Sequence, residues 1–260
     1  MKGFGGVFAV VLLELVAGGL ALTWLSPLWG ETKRSYFTIF GSVTTLLFAL
    51  PAWLVARAGV VAGDPAGAWL VRCALATLVL VVASTGLMLV RRQAAARIAG
   101  LLSVPAAVGA LVAAARTGQA SLPAALLQVG AGALFLGAAY DGLFLGHWYL
   151  TDRKLTRAPI GRATRWLLAA SGIEIVAIAV AGFGGARVST TLNPILAAGD
   201  VAPWIAVGLA GATLLIAAMT KATLRGERAS AVQSATGFYY LAVITALTAE
   251  IAVKTRFLPG

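Results

Sequence analysis

The sequence predicts an all-α fold, an integral membrane protein whose single domain, 1–260, is a bundle of about eight transmembrane helices. Of its 260 residues 60% are hydrophobic and 11% are charged, whereas a soluble domain has about 25% charged residues. Apolar runs recur along the whole chain. Each approaches or exceeds the ~20 helical residues that cross a hydrocarbon core, and their continuity favours helices over alternating strands.

The predicted spans follow these runs in order. The first contains Glu14 and has a longer apolar run than a secretory signal peptide, so we interpret it as a retained span. The fourth is short, since only 18 residues separate Arg97 from Arg116, and Pro105 interrupts it; seven and eight spans therefore both stay open. The predicted spans are about 4–25, 37–56, 67–90, 98–115, 124–150, 165–186, 202–220 and 232–253.

The net charge of +11 comes from basic residues that cluster in short connections. If the connections at 26–36, 91–97, 151–165 and 221–230 share one side, that side has thirteen Lys and Arg. The positive-inside rule then places both termini outside and the 151–165 loop in the cytoplasm of a bacterial inner membrane. We expect the charge to serve orientation and contact with anionic lipids, with no nucleic acid as partner.

Single Cys and His residues limit the chemistry of the chain. Cys73 alone forms no internal disulfide or CxxC pair, and His147 alone provides no bis-His haem or multi-His metal site. We predict no metal site, no catalytic residue, and no enzymatic activity of the chain by itself. No cofactor is expected to be ligated by it; quinone and lipids are the small molecules that its residues suggest.

Acidic residues lie at mid-depth in three predicted spans, where charge is costly and often functional. These are Glu14, Asp141 and Glu174. The fifth and sixth spans form a hairpin, so we expect Asp141 and Glu174 to be neighbours, with at least one proton between them. Such carboxyls suit a proton relay, a cation site or a quinol-oxidising site; alternatively, they are structural ties between helices.

A second charged pair is predicted nearer the outer surface. Arg72 and Glu250 lie at matching depths in the third and eighth spans. Because shallow charges can also reach the interface along their own side chains, we interpret the two residues as a structural ion pair.

His147 lies about one turn from the cytoplasmic end of the fifth span and shares a helical face with Tyr140. Water could connect it to Asp141 as a proton entry path, or its ring could bind a quinone carbonyl. The alternative is an interfacial histidine in an aromatic belt with Trp148 and Tyr149. Tyr239 and Tyr240 could line an inner vestibule with His147, or be ordinary interfacial anchors.

Small residues at Ala138, Gly142 and Gly146 recur every four positions in the fifth span. This pattern permits close helix packing, so we expect the fifth span to be central in the bundle.

Three functions are compatible with these features. The first is a membrane-anchor subunit of a respiratory or other electron-transfer complex, which handles protons or binds quinone while other membrane or redox subunits provide the redox centres. The second is a small proton- or cation-coupled transporter or channel, although the sequence shows no convincing internal repeat of the kind that such proteins often have. The third is a scaffold or assembly factor in which the acids are only ties.

Overall fold

The computed structural model describes residues 3–60, 63–118, 120–152, 154–182, 201–226 and 230–255. All regular elements among these residues are helical, and eight helices are long and apolar enough to cross a membrane. The predicted all-α, multi-pass fold class is confirmed. The helices are α1 (Gly3–Trp24), α2 (Arg34–Gly59), α3 (Pro65–Leu89), α4 (Gln93–Thr117), α5 (Leu122–Thr151), α6 (Ala158–Ala177), α7 (Val201–Thr223) and α8 (Ser230–Lys254).

Helix boundaries mostly agree with the predicted spans to within a few residues. The largest difference is α6, which begins at Ala158, seven residues before the predicted start at 165. Pro159 lies in its first turn, where proline has no hydrogen bond to lose and its fixed φ suits the helix. The predicted end of this span, at 183–186, lies outside the described residues.

Two π-helical turns occur among the described residues. One occupies Thr44–Ala49 in the middle of α2, and the other, Ile178–Gly182, extends α6. Such turns are rare and occur frequently at functional sites. By contrast, α4 continues through Pro105 as one 25-residue helix, so the interruption expected there does not divide the span.

Helices α1 and α5 form the centre of the bundle. In their most apolar stretches 78% and 61% of the residues are buried, against 33% in α2, α3 and α7. Gly18 of α1 and Gly137 of α5 allow this, because a Cβ on either glycine would overlap the backbone of the opposite helix. The helices meet backbone to backbone, and the predicted central position of α5 is confirmed.

The small residues of α5 also allow α8 to pack closely against it. Gly142 lies against the ring of Tyr239, and a Cβ there would overlap that ring. One turn later, Gly146 lies against Thr236. A Cβ on Gly146 would be 2.6 Å from the hydroxyl oxygen of Thr236. Gly142 and Gly146 therefore pack α5 against α8, while Gly137 packs it against α1.

The four basic connections gather at one end of the bundle, which we call the basic end. Lys33 Nζ lies 2.9 Å from Asp152 Oδ2, and Arg34 Nη1 donates to the Met88 carbonyl at 2.6 Å. Two further bridges join the same loops: Arg162 to Glu31, and Arg157 to the Gly226 carbonyl. The connections assumed to share one side thus do so.

Candidate functional site

Three charged side chains meet inside the bundle between α1 and α8. The ammonium nitrogen of Lys254 lies 2.9 Å from Glu14 Oε1 and 2.7 Å from Glu250 Oε2. It also donates to the backbone carbonyl of Gln128 on α5 at 3.3 Å. Glu14 and Glu250 are fully buried, and Lys254 is 1% exposed, so this is an internal ion pair between helices.

Glu174 of α6 completes the group, which we call the carboxyl–lysine cluster: Glu14, Glu174, Glu250 and Lys254. Glu174 is fully buried and interacts electrostatically with the other three members. Among the described residues, no hydroxyl, amide or cationic group donates a hydrogen bond to either carboxyl oxygen of Glu174. Its hydrogen-bonding neighbour is the carboxyl of Glu250. A buried acid in this condition is costly to ionise.

The backbone of α5 makes room for the cluster at Gly132. A Cβ at this position would lie 2.8 Å from Glu250 Oε2 and 2.9 Å from the carboxyl carbon of Glu14. One turn earlier, the buried side-chain amide of Gln128 has no hydrogen-bond partner among the described residues. Gly132 therefore lets carboxyls from two helices lie directly against α5.

The charge of the cluster determines what it can do chemically. With every group ionised, three carboxylates and one ammonium would have a combined charge of −2. Uncompensated charge inside a membrane bundle is expensive, and interacting carboxyls share protons as a group. Charge neutrality requires two bound protons, which the three carboxyls would share.

Asp141 occupies a separate site. Its Oδ1 accepts hydrogen bonds from the hydroxyls of Thr23 at 3.3 Å and Tyr36 at 3.4 Å, while its Oδ2 has no hydrogen-bond partner among the described residues. The side chain is fully buried. We call Asp141, Thr23 and Tyr36 the Asp141 site.

The expected proximity of Asp141 and Glu174 is wrong. Asp141 hydrogen-bonds side chains of α1 and of the N-terminal half of α2, whereas Glu174 interacts with Glu250 and Lys254 on α8 and with Glu14 on α1. The two depths differ, because α6 begins at Ala158, seven residues earlier than predicted. Glu174 is therefore 16 residues from the basic end of its helix, whereas Asp141 is 10 residues from the same end of α5.

The expected ion pair between Arg72 and Glu250 is also absent. Glu250 pairs with Lys254 one turn later on the same helix, and the Arg72 guanidinium lies 5.9 Å from the centre of the Trp69 ring. The prediction failed because Lys254 was assigned to the loop beyond the span, although it ends α8 inside the bundle.

His147 lies at the bundle surface. Its Nδ1 is 3.0 Å from the Leu143 carbonyl; since a carbonyl only accepts, Nδ1 has the proton and Nε2 accepts from the hydroxyl of Tyr240. Of the two tyrosines suggested to lie with His147, Tyr240 contacts it, whereas Tyr239 is fully buried and its hydroxyl pairs with that of Thr164 at 2.9 Å. Tyr140 is mostly buried, and its hydroxyl pairs with that of Thr44 at 3.0 Å.

Five residues of these sites were not predicted as site residues. Four have no distinctive sequence signal, since hydroxyls, an amide and a glycine are common in membrane helices. The fifth is Lys254, whose spacing of four residues from Glu250 is the i,i+4 pattern of a helical ion pair. The five are Thr23, Tyr36, Gln128, Gly132 and Lys254.

In the described part of the chain, no group of three or more His, Cys, Asp or Glu side chains is arranged to hold a metal ion. The carboxyls of the cluster surround the Lys254 ammonium instead. Comparisons with protein-family models, with curated proteins and with solved structures give no match.

Proposed function

We propose that this chain transfers protons inside a membrane, and that the carboxyl–lysine cluster is its proton-exchanging site. The observation behind the proposal is the excess of carboxyls: three acids from three helices meet one lysine in the buried centre of the bundle. A purely structural tie would need one acid for one lysine. The two additional acids are costly to bury and give the site protons to release.

The geometry favours protons over a coupled metal cation. The ammonium of Lys254 already occupies the position between the Glu14 and Glu250 carboxylates, where a transported cation would bind. Proton exchange requires no displacement of this internal cation, since a proton moves between oxygens that remain in place.

We further propose that the chain acts as a membrane subunit of a larger electron-transfer complex in a bacterial inner membrane. One His and one Cys leave the redox centres to partner subunits. In the orientation that the positive-inside rule favours, the basic end faces the cytoplasm and both termini lie outside. Partners that co-purify from native membranes distinguish this role from a proton-coupled transporter, because a solitary chain without redox partners contradicts the subunit role.

Infrared spectroscopy of the protein in lipid nanodiscs tests the proton-exchanging site. The wild type should show the carbonyl stretch of protonated carboxyls, and the band should shift when water is replaced by D₂O. Glu174→Gln should remove part of this band, since it deletes one of the cluster's acids. Glu31→Gln is the matched control, because Glu31 pairs with Arg162 at the basic end, away from the cluster, and should leave the band unchanged.

Two results would contradict the proposal. If Glu174→Gln leaves the protonated-carboxyl band intact, the cluster does not hold its protons there. If the band contribution of Glu174 is present but never shifts in D₂O, the carboxyl is a sealed structural tie. A shift that disappears with Glu174→Gln supports exchange with water and leads to proton-flux measurements in proteoliposomes.

A further inference from the structure

A groove of about 410 Å³ opens on the membrane-facing side of the bundle. It lies over α5, between α2 and α8, and is independent of the carboxyl–lysine cluster. Its volume is within the roughly 300–1,000 Å³ range of small-molecule sites. The residues that define its character are Leu47, Phe48, Tyr140, Phe144, His147 and Trp148.

One wall of the groove is aromatic. The Tyr140 ring lies edge-on to Phe48, with ring centroids 5.2 Å apart, and 6.0 Å from the ring of Phe144. The π-helical turn of α2 presents Leu47 and Phe48 to this wall, while the hydroxyl of Thr44 in the same turn holds Tyr140. Such a wall favours a flat ring, since aromatic pairs gain about 0.5–1.5 kcal/mol beyond their buried area.

The rim of the groove has a polar pair. His147 lines the groove and accepts a hydrogen bond from the hydroxyl of Tyr240. Tyr240 is itself 49% exposed. Because His147 lies four residues from the end of α5, this pair places hydrogen-bonding groups where the apolar groove meets the membrane interface. A ligand with a carbonyl next to its ring could accept a hydrogen bond from either residue after a small change in this pair.

We infer that this groove binds a lipid-soluble quinone, with its ring against the aromatic wall and a carbonyl at the His147–Tyr240 pair. A phospholipid has an acyl chain of the same apolar character and an ester carbonyl that can accept a hydrogen bond, but it has no flat ring to stack on the aromatic wall. A quinone matches both the wall and the rim. The inference concerns binding and does not depend on the proton-exchanging role of the cluster.

Photolabelling in nanodiscs tests this binding with an azido-ubiquinone that has a short side chain. Mass spectrometry should locate the label on peptides that contain 140–151 and 39–48, and unlabelled decylubiquinone should displace it. Leu47→Trp fills the groove and should lower the apparent affinity about tenfold. Leu46→Trp is the matched control: Leu46 is equally exposed, at 63% against 60% for Leu47, but does not line the groove.

His147→Phe keeps the ring but removes the hydrogen-bonding nitrogens, and should weaken quinone labelling without affecting the fold, as judged by circular dichroism. The inference is overturned if labelling spreads evenly over the membrane-facing surfaces of α3 and α4. It is equally overturned if excess phospholipid displaces the label as well as decylubiquinone does, since the groove is then a lipid site. Unchanged labelling in Leu47→Trp would also contradict it.

Discussion

The carboxyl–lysine cluster and the Asp141 site are both buried acidic sites along α1 and α5, yet they neutralise their acids differently. In the cluster, the Lys254 ammonium lies within 3 Å of two carboxylates. In the Asp141 site, two hydroxyls donate longer hydrogen bonds of 3.3 and 3.4 Å. The first site depends on charge balance and the second on neutral donors, so we expect much greater sensitivity to substitution in the cluster.

The two sites are also physically separated. Gly132 and Asp141 are nine residues apart on α5, about 14 Å along the helix axis. Between them, the backbones of α1 and α5 touch at Gly18 and Gly137, which leaves no room for side chains or water at that contact. Substitutions in one site should therefore have little effect on the other, and their free-energy changes should add.

Removing the internal cation should have the largest effect. Lys254→Met leaves the buried carboxylates without their counter-charge, and breaking a buried pair in this way lowers the free energy of unfolding by about 3–5 kcal/mol. Reversible unfolding in mixed micelles, titrated with sodium dodecyl sulfate, measures the change. Lys221→Met, at an exposed position near the end of α7, is the control and should stay close to wild type.

A double variant checks the cause of that loss. Adding Glu14→Gln to Lys254→Met removes one of the stranded carboxylates, so the double variant should be less destabilised than the sum of the single variants. If the free-energy losses of the two single variants simply add in the double variant, Lys254 contributes through packing. The contrast between the two sites would then have no electrostatic basis.

Filling the space at Gly132 should have the next largest effect. In Gly132→Ala the new methyl group would lie under 3 Å from Glu250 and Glu14, and overpacking of this kind costs about 1–3 kcal/mol. Gly130→Ala is a close control on the same helix, since nothing lies within 4 Å of its Cβ position. Equal unfolding free energies for the two variants would show that the helices can move apart at Gly132 without loss.

The Asp141 site should respond more weakly. Asp141→Asn retains an oxygen that accepts from Thr23 and Tyr36, so the free energy of unfolding should fall by no more than about 1.5 kcal/mol. Tyr36→Phe removes one donor and should have a similar effect. A loss as large as that of Lys254→Met would mean that Asp141 is ionised and depends on a charge, which would remove the proposed difference between the sites.

The smallest effect concerns the Lys33–Asp152 ion pair at the basic end, in which the lysine is exposed and the aspartate is mostly buried. A hydrogen bond from the Lys33 ammonium holds the pKa of Asp152 below its ordinary value. The pair therefore contributes stability that is complete above the unfolded pKa of about 3.9 and disappears as the pH falls through the lower, folded-state pKa. Thermal unfolding of the wild type and Asp152→Asn between neutral and acidic pH should show melting temperatures that converge only at the acidic end.

Much of the fold could be predicted from the sequence, because the hydrophobic effect acts on runs of residues. The length of each apolar run predicted its span, and the glycines of α5 predicted close packing. The exceptions have local causes: Pro159 starts α6 earlier than the change in polarity suggests, and the helix of α4 continues through Pro105. Composition cannot indicate either outcome.

The candidate sites were only partly predictable. Glu14, Asp141 and Glu174 were identified as costly buried acids, and the structure does bury all three. Their partners were not identified, since a partner depends on helix rotation and on which helices are neighbours. Lys254 is the clearest example, because a lysine at the end of an apolar run ordinarily faces the membrane surface.

The sequence by itself therefore determined the class of the protein, its membrane-crossing helices, its basic connections and the presence of buried acids within the spans. The tertiary structure alone decided that Glu14, Glu174 and Glu250 converge on Lys254 while Asp141 is bonded to hydroxyls. The physical reason is that hydrophobicity is a property of individual residues and adds along the chain. Electrostatic and hydrogen-bond energies instead depend on distances between residues far apart in sequence, and only the packed bundle defines those distances.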